Sequence, residues 1–306
     1  MSTIVEHAYP RVAWRNRQKM LWNPIHKKAL KNLPEERVRL RVIEALMQFG
    51  WSKNRMSTEE SIGSIGDTDM RTDIICYDRQ FEPMLLVECK AEHIPISEKA
   101  AEQVGRYNRN VNAPYLLLTN GISDYWYAID SESDKVMQRD ERPPFLDDSS
   151  EGMKPDFTYW KDRGFAGEKA SSKLQEWIQK AYSQFWLAKD QQVQYLNFGD
   201  GPSDVDLSHY YRINAVAEDR RIAVSTLNTA FGGNRMIIIL NEEDENKAVL
   251  EINLDLLDDE KKGNSGLYSK DGIRTFDLND YWELWQLKEM SEIAEQANDI
   301  FSEYVE

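Results

Sequence analysis

The sequence of 306 residues predicts a mixed α/β (α+β) fold arranged in two domains. The first observation is an apolar helical pattern that begins at Pro34. The second is a pair of short apolar runs at residues 72–77 and 83–90, which are typical of β-strands. The third is a polar, proline-containing stretch between two halves of different charge. The predicted organisation is a first domain at residues 1–140, a linker at 141–156 and a second domain at 157–306.

The first helix is predicted from its start, its periodicity and its end. Proline is favoured in the first turn of a helix, and Pro34 supplies it. Gly50 is suited to stop the helix after about four turns. The apolar residues that recur at helical spacing between them are Val38, Val42, Ile43, Leu46 and Phe49.

A Ser- and Gly-rich passage leads into the two predicted strands of the first domain. The turn-like Asp78-Arg79-Gln80 separates these strands, so a hairpin is the simplest connection. Ser97 is suited to cap a second helix that runs to about Asn110. Further strands are predicted at residues 115–119 and 125–130.

The second half also mixes helices and strands, and it contains no internal repeat. Helices are predicted at residues 168–188 and 278–304, and strands at 221–227, 236–240 and 248–254. Aromatic residues spaced along helices usually form core, although a binding groove is an alternative. The tryptophans to which this applies are Trp177, Trp186, Trp282 and Trp285.

The net charge of −15 is unevenly distributed, which bears on the partners of the protein. Residues 1–50 contain 10 Lys and Arg against 4 Asp and Glu, whereas residues 151–306 contain 17 against 30. Because local potential governs the approach of a phosphate, the first half can still bind nucleic acid. The basic segment from Arg11 to Lys31 is either a phosphate-facing arm or an ordinary solvated surface.

Composition also excludes several classes of protein. No run of about 18 apolar residues occurs, and the N-terminal residues lack the apolar block of a secretory signal, so we expect a cytoplasmic protein that does not enter membranes. No Cys/His cluster has the spacing of a zinc site. The two cysteines, Cys76 and Cys89, lie in apolar strand-like runs and are expected to be buried free thiols rather than a disulfide.

The most informative pattern is Asp73 at the head of one strand and Glu88-Cys89-Lys90 at the end of the next. Side chains alternate along a strand, so Glu88 and Lys90 point to the same side. If the strands are neighbours, Asp73 lies beside Glu88. Two carboxylates at a strand end suit Mg²⁺, for which Mn²⁺ can substitute. The lysine would orient or activate a water, or stabilise developing charge.

The carboxylate-x-lysine pattern is weak by itself, because it recurs at Glu245-x-Lys247 and at residues 259–262. Those copies lie in acidic, loop-like stretches and are expected to be solvated charge runs. The apolar run 84–87 leads directly into Glu88, and charges that end a buried strand need partners or a metal. For Asp73, Glu88 and Lys90 the alternative is a structural ion pair.

Three further residues are candidates for the same site. Gln103 and Tyr107 are four residues apart on the second helix and therefore share a face. Gln103 would hold a nucleotide or a water, and Tyr107 would contact a phosphate or stack on a base, or simply pack in the core. Glu36 is a possible additional metal ligand, unless it only complements the dipole of the first helix.

At this point the residues resemble the PD-(D/E)xK nuclease superfamily, and in particular the N-terminal nuclease domain of type I restriction enzyme R subunits. The similarity spans roughly residues 15–130 and includes a Gln-x-x-x-Tyr element. Residues 21–25 resemble stand-alone versions of that domain. The stretches that carry the resemblance are residues 34–39, 71–74, 85–91, 103–108 and 113–121.

The resemblance implies a restriction-endonuclease-like αβββαβ core with a mixed sheet and Mg²⁺-dependent hydrolysis of DNA. It implies metal ligands at Asp73 and Glu88, and a further one at Glu36. Lys90 would be the catalytic lysine, with Gln103 and Tyr107 as helpers. The sequence departs from R subunits because it contains no G-x-x-x-x-G-K-[ST] phosphate loop, so ATP-driven translocation is not expected.

Two functions from different classes remain open at the level of sequence. One is a metal-dependent DNA endonuclease in restriction-modification, defence or DNA processing. The other is a nucleic-acid-binding or partner-binding module that keeps the fold without cutting. The acidic second domain is a possible site for a protein partner or for homodimerisation.

Overall fold

The computed structural model describes residues 3–65, 68–130, 135–146, 155–187, 192–199, 202, 205–257, 263–287 and 289–305. The chain divides into two compact units, of which unit 1 comprises residues 1–13 and 20–153. Unit 2 comprises residues 14–19 and 154–306. Part of the segment predicted as a linker belongs to the core of unit 1, because a 3-10 turn at Pro144–Leu146 buries Leu146.

The chain begins with a small sheet and continues into the mixed sheet of unit 1. The small sheet contains β1 (Val12–Arg15), β2 (Gln18–Asn23) and β3 (Lys28–Leu30). Then follow α1 (Pro34–Gln48), β4 (Met56–Ile65), β5 (Thr68–Tyr77), β6 (Pro83–Cys89), α2 (Glu98–Val111), β7 (Tyr115–Thr119), β8 (Asp124–Ile129) and β9 (Val136–Arg139).

The described strands β4 to β9 lie side by side in chain order. Neighbours are antiparallel except for β6 and β7, which are parallel. A parallel pair needs a crossover connection, and α2 provides it. The order α1, β4, β5, β6, α2, β7 is therefore the αβββαβ order with a mixed sheet that the sequence resemblance implied.

Alternation along β5 and β6 divides the core of unit 1 between two faces of the sheet. Ile74 and Val87 belong to a cluster that includes the apolar residues of α1. Ile75 and Leu86, one residue away, belong to a second cluster with Val104 of α2. Each face of the sheet is thus covered by one helix. Alternation along β5 and β6 then determines on which of the two faces each side chain lies.

Several predicted boundaries in unit 1 need correction. Strand β5 begins at Thr68, because it pairs with β4 in the stretch that the sequence presented as a Ser- and Gly-rich passage. Asp73 therefore lies inside its strand rather than at the head. Ser97 precedes α2 as predicted, but its side chain makes no capping hydrogen bond. Cys76 and Cys89 are buried free thiols, as expected.

Unit 2 is built on a meander of antiparallel strands. Its sheet has the described strands β10 to β16 in chain order, each antiparallel to the next. Helix α5 packs against β11, β12 and β13. The elements are α3 (Phe157–Asp162), α4 (Ser172–Leu187), β10 (Val193–Leu196), β11 (His209–Ala217), β12 (Arg220–Asn228), β13 (Asn234–Glu242), β14 (Glu245–Asn253), β15 (Ser265–Ser269), β16 (Gly272–Phe276) and α5 (Met290–Tyr304).

Two helix starts in unit 2 differ from the sequence prediction. Helix α4 begins at Ser172, because the segment before it is held against another loop, where the Lys169 N–H donates to the Gly232 carbonyl at 3.0 Å. The final helix begins only at Met290, because the stretch before it forms two 3-10 turns, Leu278–Asp280 and Leu284–Gln286. Within the described residues, no helix is long and apolar enough to cross a membrane.

The tryptophans of unit 2 follow the core prediction only in part. Trp177 and Trp282 are buried, as core residues should be. Trp285 is partly exposed and lies in the 3-10 turn Leu284–Gln286 rather than in an α-helix, with the Lys173 ammonium 4.4 Å from its ring centroid. The side chain of Trp186 lies outside the described part of the structure.

Lys19, from the predicted basic arm, is neither a phosphate-facing nor a solvated residue. It is buried in unit 2, where its Nζ donates to the carbonyl oxygens of Asp206 and Ser208 at 3.0 Å each. Burial lowers the pKa of Lys19 to about 8. His209 is buried nearby against Phe165, with 4.4 Å between ring centroids. Burial, with a smaller contribution from the charge of Lys19, lowers the pKa of His209 well below its usual value.

His209 should make the stability of unit 2 depend on pH. Because its pKa is lower in the folded state, the unfolded chain binds more protons below pH 6.5, and stability falls as the pH falls. We expect His209→Phe to remove this dependence, which amounts to at most about 1.4 kcal/mol per pH unit. Urea unfolding of both proteins between pH 5 and 8 measures it. Parallel curves for the two proteins would show that the pKa of His209 is the same in the folded and unfolded states, and would contradict the prediction.

Candidate active site

Two carboxylates meet where β6 ends. Ile74 of β5 pairs with Val87 of β6, and the same register continued by one residue brings Asp73 level with Glu88. The backbone N–H of Cys89 donates to Oδ2 of Asp73 at 2.7 Å, which fixes that carboxylate against the end of β6. The side chains of Asp73 and Glu88 are only 15% and 5% exposed. Two acidic groups thus share a poorly solvated site.

Glu88 is the acceptor on which the other predicted residues converge. Lys90 Nζ donates to Oε1 of Glu88 at 2.7 Å, and Gln103 Nε2 donates to the same oxygen at 3.0 Å. Gln103 Nε2 also lies 3.0 Å from the hydroxyl oxygen of Tyr107. Helix α2 therefore presents Gln103 and Tyr107 to the strand end, as their spacing predicted. Tyr107 also packs against the apolar cluster beneath α2, so it takes part in both the core and the site.

Glu36 does not join this group directly. Its Oε2 forms an ion pair of 2.9 Å with Arg39, which lies one turn further along α1. Arg39 also lies 3.3 Å from a carboxylate oxygen of Glu59 and 3.7 Å from Oδ1 of Asp73. The remaining oxygen of Glu36, Oε1, is buried and has no hydrogen-bond partner among the described residues. Arg39 therefore stands between Glu36 and the carboxylate pair.

Arg39 and Glu59 are site residues that the sequence interpretation missed. Arg39 lies three residues after Glu36, a spacing that allows an ion pair on a helix and could have revealed it. Glu59 lies in β4, in the stretch not predicted as a strand. Its φ of 56° is left-handed, which is unusual for a non-glycine residue within a strand. No sequence pattern indicated that its carboxylate would face Arg39.

Burial dominates the electrostatics of this site. Burial and, to a smaller extent, the charge of Asp73 raise the pKa of Glu88 to about 7, against the opposing effect of Lys90. Burial also raises the pKa of Asp73, against the effect of Arg39. Burial lowers the pKa of Lys90, but the hydrogen bond and charge of Glu88 outweigh it and leave the pKa raised. Ionising both carboxylates is therefore unfavourable in this site, whereas the lysine stays protonated.

This donor set fits a hard divalent cation. Mg²⁺ binds oxygen ligands and typically takes one or two carboxylates with waters and substrate phosphate. Asp73 and Glu88 supply two carboxylates whose mutual repulsion a cation would relieve. In the described part of the chain, no group of three or more His, Cys, Asp or Glu residues is arranged around an ion position. The structure therefore does not add Glu36 to the pair.

The recurring carboxylate-x-lysine pattern provides an internal comparison. Glu245 and Lys247 form an ion pair of 2.7 Å, with side chains that are 74% and 29% exposed. The prediction of a loop at this position is wrong, because Glu245 begins β14. The prediction that the pair is exposed to solvent is confirmed. The copies at residues 259–262 lie outside the described residues.

Replacing Arg39 should destabilise unit 1, because it leaves poorly solvated carboxylates without a counter-charge. We expect Arg39→Met to lower the free energy of unfolding by on the order of 3 kcal/mol. Urea denaturation measures this, with Arg221→Met as control because Arg221 pairs with an exposed Asp244. Adding Glu36→Gln to the first variant should restore part of the loss. Equal effects of the Arg39 and Arg221 substitutions would contradict the role assigned to Arg39.

Comparison with known families places this site in context. Residues 34–143 match the family model described as type I restriction enzyme R protein N terminus (HSDR_N). No curated protein sequence matches the chain. The matched segment runs from the start of α1 through the carboxylate pair, Lys90 and α2. Over residues 34–143, the chain therefore resembles the N-terminal domain of type I restriction enzyme R proteins.

Proposed function

We propose that unit 1 is a Mg²⁺-dependent deoxyribonuclease that hydrolyses phosphodiester bonds in DNA. The observation that carries the proposal is the convergence of Lys90 and Gln103 on one oxygen of Glu88, beside Asp73 in a poorly solvated strand end. The match to the N terminus of restriction enzyme R proteins supports a nuclease-related domain. Restriction or another form of DNA processing is the corresponding biological context.

Asp73 and Glu88 would hold the cation. Asp73 has one oxygen fixed by the Cys89 N–H, and Glu88 has one oxygen fixed by Lys90 and Gln103. Each carboxylate is therefore oriented by contacts of its own before any ligand arrives, which is the preorganisation that catalytic groups require. A bound cation would neutralise the carboxylates and polarise a phosphate oxygen of the substrate.

Lys90 would act as a fixed positive charge. Hydrolysis joins a water oxygen to phosphorus and breaks the bond between phosphorus and the leaving ester oxygen, while negative charge builds on the phosphoryl oxygens. The raised pKa of Lys90 keeps its ammonium charged, so stabilising that negative charge suits it better than accepting a proton. Gln103 and Tyr107 would position Glu88 and contact the nucleotide.

The first test is cleavage of supercoiled plasmid and single-stranded DNA by the full chain in Mg²⁺ or Mn²⁺. We expect Lys90→Ala to lower the cleavage rate by about 100-fold or more, because it removes the charge that stabilises the transition state. Lys247→Ala is the matched control, since it breaks the same Glu-x-Lys pattern in a solvated setting. It should cleave like the wild type.

Either of two results would overturn the nuclease proposal. One is a wild-type protein that is folded but cuts no DNA with either metal. The other is cleavage that persists in Lys90→Ala. DNA binding without cleavage would instead indicate the nucleic-acid-binding module that the sequence left open.

Metal binding should be measurable without any cleavage. We expect calorimetric titration with Mn²⁺ to show binding to the wild type that Asp73→Asn and Glu88→Gln each weaken by at least about 10-fold, because each removes a charged ligand. Glu245→Gln removes an exposed carboxylate of the same type and should leave the affinity unchanged. Unaltered binding in Asp73→Asn and Glu88→Gln would place the cation elsewhere.

A further inference from the structure

We propose that Arg71, Lys99 and Arg106 form a phosphate-binding surface that holds the DNA backbone beside the bond to be cut. The inference rests on the proposed function, since it concerns the substrate of the same site. It assigns residues that make no contact with the carboxylates themselves, and it follows from where two elements of unit 1 place exposed positive charge.

Helix α2 supplies two of the three cations. Lys99 lies four residues before Gln103 and Arg106 three residues after it, so both lie on the same side of the helix as Gln103. At 1.5 Å per residue they are displaced along the helix axis by about 6 Å and about 4.5 Å in opposite directions. Both are exposed, whereas the buried stripe of the helix is centred on Val104. Gln103, which donates to Glu88, is thus bracketed by positive charges.

Strand β5 supplies the third cation, close to Asp73. Arg71 lies two residues before Asp73 and four before Ile75, which packs beneath α2. Alternation along the strand therefore directs Arg71 to the face of the sheet that α2 covers. It is exposed and about 7 Å from Asp73 along the strand. Arg71 thus lies on the same face of the sheet as the two cations of α2, close to the carboxylate pair.

The three cations differ from the arginines of α1. Arg37, Arg39 and Arg41 are buried and pair with glutamates, so they serve the structure of unit 1. Arg71, Lys99 and Arg106 form no ion pair with the side chains that the structure describes. Even Glu102, one turn before Arg106 and exposed, makes no such pair with it.

Positive charge at Arg71, Lys99 and Arg106 would favour the approach of DNA to the carboxylate pair. Asp73 and Glu88 repel the backbone phosphates that must approach them, and the protein as a whole has a net charge of −15. Cations close to the pair attract the neighbouring phosphates and offset this repulsion, while leaving the scissile phosphate free to reach the carboxylates.

The test measures DNA binding by the full chain as a function of salt, without divalent metal so that no strand is cut. Fluorescence anisotropy of a labelled 20-base-pair duplex between 50 and 200 mM NaCl gives the slope of log K against log salt. We expect Arg71→Gln, Lys99→Gln and Arg106→Gln each to reduce the magnitude of this slope by about 1 and to weaken binding at low salt several-fold. The effect should be uniform across DNA sequences, because phosphates carry no sequence information.

Arg79→Gln is the matched control. Arg79 is an exposed arginine of the same unit, six residues beyond Asp73 and therefore about 20 Å away near the far end of β5. Its slope should equal that of the wild type. The proposal is overturned if Arg79→Gln lowers the slope as much as the three substitutions, if none of the three changes it, or if the wild type binds no DNA.

Parallel cleavage assays separate this inference from the function on which it rests. Cleavage by the wild type with unchanged slopes in the three variants would reject the surface and keep the nuclease. Lowered slopes with no cleavage by the wild type would keep the surface on a binding module and reject the nuclease.

Discussion

The register between β5 and β6 is the constraint on which the candidate site depends. Ile74 opposite Val87 commits one set of side chains to the α1 face and the next set to the α2 face. A slip of one residue would move Glu88 away from Gln103 and exchange the apolar and charged residues between faces, which the buried core forbids. The parallel pairing of β6 with β7 then fixes where β6 ends, since Lys90 N–H donates to the Thr119 carbonyl at 2.8 Å. Packing energy in the core thus positions the charges outside it.

A site positioned in this way carries an electrostatic cost that the chain offsets in two different ways. Asp73 and Glu88 are poorly solvated, and burial raises the pKa of both. On the side of α1, Arg39 supplies a counter-charge that Asp73 shares with Glu36 and Glu59. On the side of α2, Lys90 and Gln103 satisfy a single oxygen of Glu88. The Arg39 side is a closed ion-pair cluster suited to stability. The Lys90 side leaves acceptor capacity on the carboxylates, which is what a cation and its substrate would need.

The elements with strong local patterns were predictable from the sequence. The contacts that depend on residues distant along the chain were not. Helix α1, the hairpin of β5 and β6, and α2 were predictable because apolar periodicity and a turn mark each of them. The period of two placed Glu88 and Lys90 on one side of the strand, and the period of four placed Gln103 and Tyr107 on one face of α2. The contact between Gln103 and Glu88 depends on how α2 packs on the sheet. Arg39 was missed because a buried arginine looks like surface charge until its partners on β4 and β5 are known. In unit 2 the apolar runs predicted β12, β13 and β14, whereas strands such as β16 were missed because they are exposed and obtain their order from pairing rather than from an apolar pattern.

The two Glu-x-Lys pairs show why the motif alone predicts so little. Lys90 lies 2.7 Å from Glu88, and Lys247 lies 2.7 Å from Glu245, so distance does not distinguish them. Their surroundings do: the Glu88 side chain is 5% exposed and has a second carboxylate nearby, whereas the Glu245 side chain is 74% exposed. In water an exposed pair contributes little and exchanges its partners for solvent at small cost. In the poorly solvated site the two carboxylates cannot exchange their partners for water, so they depend on Lys90 and Arg39, and a bound cation would relieve the repulsion that remains between them. The difference between the two pairs therefore arises from the apolar strand that leads into Glu88, and that strand is the feature to seek when such a motif is found.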